Sequence, residues 1–211
     1  MNLFQFAGRE YGDAMGIVQD PVRFVVGKHP IWVQTVVARA DRVRGIGGFD
    51  PDLRYSEDHD FLFRMALETK FCFVNMPMVL VDRAPAENRH QGESRNWHKE
   101  EFRLRMDQIR FEKQAHMSAG QPADVCGLIQ NNLSRIHSNW VNLYLEKGEN
   151  ARAREAMALA VKFDPSLALR FKSLLLRISP ALTRRVLAVR DRKPAPRYDR
   201  LSWKTSSESK L

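Results

Sequence analysis

Apolar positions change their spacing along the chain, and each change marks an element. Residues 1–30 are weakly patterned: Phe4, Phe6, Tyr11 and Met15 could pack, but Gly8, Gly12 and Gly16 argue against a good helix. Asp20 followed by Pro21 is a turn or a helix start. Residues 31–38, rich in β-branched side chains, predict a strand. Over 56–69, Ser56 is a suitable N-cap, Glu57, Asp58 and Asp60 fall in the first turn, and Phe61, Leu62, Met65 and Ala66 make an apolar face at helical spacing. Residues 71–81 predict two short strands interrupted at Pro77. Residues 82–95, polar and holding Pro85 and Gly92, predict a loop.

From Trp97 onward the spacing is helical. A helix over 100–116 would show Phe102, Met106, Ile109 and Lys113 as one stripe. A longer one over 125–146 carries Leu128, Ile129, Leu133, Ile136, Trp140, Leu143 and Tyr144 on its apolar side. A further helix runs over 150–163 and stops at Asp164 and Pro165. Residues 167–192 are helical again, split near Ser179 and Pro180. From Pro194 the composition is that of a disordered tail.

Charge divides the chain. Residues 1–95 hold 12 Lys+Arg against 13 Asp+Glu, and the remainder holds 22 against 12, which produces the net charge of +9. Residues 167–192 alone carry seven Lys+Arg and one acid. The resulting expectation is a region of 1–95, a helical extension of 96–193 and a tail of 194–211. No apolar run is long enough to span a bilayer, and the first residues lack the pattern of a signal peptide, so a cytoplasmic location is the default. The two cysteines, Cys72 and Cys126, are expected as buried thiols, too few for a zinc site.

The chemistry-bearing stretch is 39–64. Gly45, Gly47 and Gly48 give the backbone freedom, Asp50, Pro51 and Asp52 form a turn, and acids then crowd a helix N-terminus. The helix dipole favours ionised carboxylates there, and an ionised carboxylate at a cleft edge is what a general base requires. Gly47, Gly48, Phe49 and Asp50, followed by Glu57 and Asp58 and then Arg64, resemble the acceptor-side signature of family 2 glycosyltransferases of the GT-A fold. The resemblance spans about residues 30–95. It implies an α+β chain: a partial GT-A-like α/β region followed by an all-helical C-terminal extension.

The resemblance also implies roles. Asp58, with Glu57 beside it, would take the proton from an acceptor hydroxyl, which then attacks the anomeric carbon of a nucleotide sugar with inversion. Gly47, Gly48, Asp60 and Arg64 would lie on the acceptor side, and His90 and Arg89 would bind phosphate or a metal. Each has a plainer reading: acids complementing a dipole, an Asp60–Arg64 pair one helical turn apart, a tight glycine turn, a solvated histidine. The family's divalent metal, Mg²⁺ or Mn²⁺, is expected as a cofactor, but its Asp-x-Asp motif is not found. Asp50-Pro-Asp52 and Asp58-His-Asp60 match on paper, yet neither follows an apolar strand. No stretch before residue 30 accommodates two βαβ units. The expectation is therefore the acceptor half of a transferase, with most of the donor site missing.

Tyr144, Gly148, Ala153, Ala160 and Pro165 are placed as in one tetratricopeptide-like helical hairpin, where small alanines let helices approach closely. Two rivals follow. A tetratricopeptide-like adaptor without catalytic activity would bind peptides and be indifferent to loss of Asp58. Nucleic-acid binding fits the charge, but no recognised motif accompanies it and none is expected. Expected partners are a nucleotide sugar, a carbohydrate or lipid-linked acceptor and an anionic membrane surface. That last partner would put the protein at the inner face of the membrane.

Overall fold

The computed structural model describes residues 15–27, 31, 33–74 and 99–184. In chain order the elements are β1 (Met15–Val18), α1 (Pro21–Val26), a 3₁₀ turn (Val33–Thr35), α2 (Ala40–Gly45), α3 (Glu57–Glu68), β2 (Phe71–Val74), α4 (Glu100–Met117), α5 (Ala123–Glu146), α6 (Asn150–Phe163) and α7 (Leu167–Ile178). After a break at Ser179, residues 180–184 are helical again. The class is α+β, mostly helical with one small sheet.

β1 and β2 form a two-stranded antiparallel ladder with Gly16 opposite Phe73 and Val18 opposite Phe71. Nothing in the weak pattern of 1–30 predicts β1. Gly16 serves the pairing, because a Cβ there would lie 2.7 Å from the Phe73 ring. The strand expected over 31–38 is not formed. Val33–Thr35 instead makes a 3₁₀ turn, closed by Val36 N–H donating to Val33 O at 3.1 Å. Val36 and Ala38 reach the core while Val37 is 99% exposed, so the strand-like alternation survives without a partner strand among the described residues. The second strand expected in 71–81, the loop of 82–95 and the tail of 194–211 lie outside the described residues.

Local chemistry explains the helices that did form. At α1, Asp20 Oδ1 accepts from Arg23 N–H at 2.9 Å, and Pro21 occupies the first turn, where its missing N–H costs nothing. The chain leaves α2 through a Schellman motif: Gly48 N–H donates to Val43 O at 3.0 Å and Gly47 N–H to Arg44 O at 3.1 Å. That motif places Gly47 at φ +80°. α5 and α6 form a helical hairpin with fully buried Ala153 and Ala160 between them, and Ser134 Oγ donates to Ala160 O at 2.9 Å across the crossing.

One core runs through both charge regions. It joins Val22 and Val25 of α1 and Phe61, Leu62 and Phe63 of α3 to Phe111 of α4, Ile129 and Leu133 of α5, Met157 of α6 and Leu176 of α7. α1 touches both α3 and α5, and Arg23 pairs with Asp124 across that contact. Of the expected stripe on α4, Met106 alone is buried, and most of the inner face is a different set. Leu104, Met106, Arg110, Phe111 and Gln114 are buried, whereas Phe102 and Ile109 are half-buried and Lys113 is exposed. The polar members of the true inner face hide it from a hydrophobic count. Cys72, expected inside, is exposed, because it lies on the outer side of a two-stranded ladder; Cys126 is half-buried.

Candidate functional site

The site forms where the loop of 46–56 and the first turn of α3 rest on α4. Three ties hold the loop. Phe49 stacks on Phe61, with ring centroids 4.5 Å apart. Asp50 pairs with Lys113 of α4 and also accepts from Asp52 N–H at 2.9 Å. Arg64 donates through Nη1 to Ile46 O at 2.7 Å and through Nε to Asp60 Oδ2 at 2.8 Å. Asp60 is fully buried, so its carboxylate fastens the loop and α3 together instead of facing an acceptor. The plain ion-pair reading of Arg64 therefore describes its contacts.

Ser56 occupies the N-cap position of α3 but does not cap with its side chain. Its backbone is left-handed at φ 58°, and its hydroxyl donates to Asp107 Oδ1 at 2.8 Å. A left-handed non-glycine residue costs roughly 1–2 kcal/mol. Asp107 thus holds the chain in a conformation that it resists locally. Arg110 donates to the same oxygen of Asp107 at 3.1 Å and lies 3.9 Å from the centroid of the Phe111 ring.

Of the carboxylates singled out for chemistry, the deepest, Asp60, pairs with Arg64 through Oδ2, and its buried Oδ1 has no hydrogen-bond partner among the described residues. Glu57 and Asp58 carry no ion pair among the described residues. Glu57 is exposed, while Asp58 is half-buried and its Oδ1 accepts from His59 N–H at 2.8 Å. Gly47 and Gly48, at φ +80° and +70°, border open space, where an added Cβ would meet nothing within 4 Å. Backbone geometry requires these glycines, and their surroundings leave room for a ligand.

Tyr55, His59, Asp107 and Arg110 belong to this site, and the sequence reading missed them. Burial raises the Tyr55 hydroxyl above the usual phenol value, and the Asp107 carboxylate adds to the rise. Burial lowers His59, Arg110 lowers it further, and Asp58, Asp107 and Glu57 oppose the shift. Burial likewise lowers Arg110, against the pull of Asp107, Asp58 and Asp60. The available signal was Asp107 and Arg110 standing three apart on a helix, just before Phe111.

His90 and Arg89 lie outside the described residues. Among the described residues no group of three His, Cys, Asp or Glu side chains could hold a metal ion. Asp50 is engaged by Lys113 and Asp60 by Arg64, so neither Asp-x-Asp match presents two open carboxylates. Among the described residues, then, no ligand set for the expected Mg²⁺ or Mn²⁺ is assembled.

A second concavity, about 360 Å³, opens between α5, α6 and α7. Asn131, Arg135, Asn139 and Asn142 line it from α5, with Lys172 of α7 and Asp164 of the preceding turn. No protein family, curated protein or solved structure matches the chain.

Proposed function

We propose that this chain supplies the acceptor side of a glycosyl transfer from a nucleotide sugar to a hydroxyl, with Asp58 as the general base. One observation carries the reading: Asp58 is a half-buried carboxylate without an ion-pair partner among the described residues, while Asp60 beside it is buried and paired through Oδ2 with Arg64. It stands in the first turn of α3, and the strained Ser56 before it is held by Asp107. The bare backbone of Gly47 and Gly48 gives a sugar room to approach. Asp58 would accept the acceptor's proton as the oxygen attacks the anomeric carbon, and the nucleoside diphosphate would leave with the bonding pair. No βαβ unit stands among the described residues, so the reading assigns no donor contact to them.

The test incubates the full-length protein with a panel of nucleotide sugars and hydroxyl acceptors, reading products by mass spectrometry. Asp58→Asn keeps the size but cannot take the proton, and should lower turnover about a hundredfold to ten-thousandfold with the thermal midpoint unchanged. A variant that retained more than about a tenth of the activity would remove Asp58 from the role.

The cleft between α5, α6 and α7 supports a second reading, a helical adaptor. The amides and cations of Asn131, Asn142, Arg135 and Lys172 suit a peptide carrying carboxylates. Absence of transfer from every donor, together with acidic-peptide binding indifferent to Asp58→Asn, would favour the adaptor over the enzyme.

A further inference from the structure

Helix α7 has two apolar sides. Leu169 and Leu176 are buried against the rest of the fold. On the other side, Leu167, Phe171, Leu174 and Ile178 are 83, 66, 55 and 73% exposed, and Leu182 beyond the break is 47% exposed. Steps of three and four residues place Leu167, Phe171, Leu174 and Ile178 in one stripe along α7, and Leu182 adds exposed apolar surface past the break. Among the described residues nothing covers it. An exposed apolar run of this length marks a surface that meets something other than water.

The charges beside the stripe say what. Arg170, Arg177 and Arg184 are each exposed and seven residues apart. Seven residues are close to two full turns, so Arg170 and Arg177 stand in one row on α7, and Arg184 continues the spacing past the break. No acid occurs between residues 167 and 184. A second copy docked on this face would bring unneutralised arginines together. A nucleic acid would take the arginines but leave the stripe wet. An anionic bilayer satisfies both, with acyl chains for the stripe and headgroup phosphates for the guanidinium groups. No helix among the described residues is long and apolar enough to cross a membrane, so the contact lies in the interface plane.

We propose that α7 and residues 180–184 dock this protein on an anionic phospholipid surface, stripe inward and arginines at the headgroups. The inference stands apart from the transfer chemistry, and its test reads no turnover. The full-length protein is co-sedimented with vesicles of phosphatidylcholine alone or mixed with phosphatidylserine. It should pellet only with the anionic vesicles, and less as salt rises. Arg170→Gln, Arg177→Gln and Arg184→Gln together should cut partitioning about a hundredfold, at about fivefold for each cation. Phe171→Ser with Ile178→Ser should abolish pelleting and leave circular dichroism and thermal melting unaltered, since both side chains face outward. Equal recovery in the supernatant with both vesicle types would overturn the proposal. So would binding that depends on the arginines but survives the serine changes, which would indicate a polyanion. Sedimentation velocity showing a dimer that Phe171→Ser dissolves, with no vesicle binding, would assign the stripe to a second copy.

Discussion

Arg64 ties three things together: the buried carboxylate of Asp60, the carbonyl of Ile46 and, through them, the glycine loop and α3. Removing one partner of a buried pair leaves an uncompensated charge, and Asp60 has no exposure to water. Arg64→Leu should therefore destabilise by about 3–5 kcal/mol in urea unfolding. A loss within about 0.5 kcal/mol, as for an ordinary surface change, would mean that the pair does not fasten the loop. Asp58→Asn should show the converse profile, with activity lost and stability kept. The Asp60–Arg64 pair was legible because four residues make one helical turn. The Ser56–Asp107 bond was not, because its partners are 51 residues apart and meet only when α4 docks.

At the scale of elements, the α5–α6 hairpin rests on small side chains. Ala153 and Ala160 are fully buried, and Ser134 Oγ reaches the Ala160 carbonyl at 2.9 Å, a distance that a larger residue would open. Ala160→Leu should cost about 1–3 kcal/mol through overpacking, read as a lower midpoint in thermal unfolding. An unchanged midpoint would show that the crossing is loose. The α6 boundaries at Asn150 and Phe163 agree with the pattern, since its stop signal is local. The inner face of α4 and the fate of 31–38 depend on what those segments pack against. α4 turns Asp107 and Arg110 toward the 46–56 loop, and 31–38 has no strand beside it among the described residues.

At the scale of the whole molecule, two histidines in different parts of the fold titrate below their ordinary value. His59 is lowered by burial and by Arg110, against the opposing pull of Asp58, Asp107 and Glu57. His137, stacked on Phe163 with ring centroids 5.6 Å apart, is lowered by burial against the weaker pull of Glu112. In both cases the unfolded chain binds the proton more readily than the folded one. Stability is therefore full above the ordinary histidine pKa of about 6.5 and declines as pH falls from there toward the lowered values. Urea midpoints taken from neutral to mildly acidic pH should show this decline. The double variant His59→Gln, His137→Phe should flatten it. An identical slope in wild type and double variant would exclude both histidines as its source.

Sequence alone determined what depends on neighbours a few residues away. That includes the acid-rich first turn of α3, the α5 and α6 spans, the break at Ser179 and the amphipathic character of 167–184. Capping, periodicity and glycine at positive φ are local physics, so they can be read without a partner. Tertiary structure decided which acids paired with which cations, which way α4 turned, and which apolar side of α7 went inward. Those outcomes depend on contacts between distant segments, such as Asp50 with Lys113, Arg23 with Asp124 and Ser56 with Asp107. No residue's own type encodes such a contact, because its energy exists only once both surfaces have left water together.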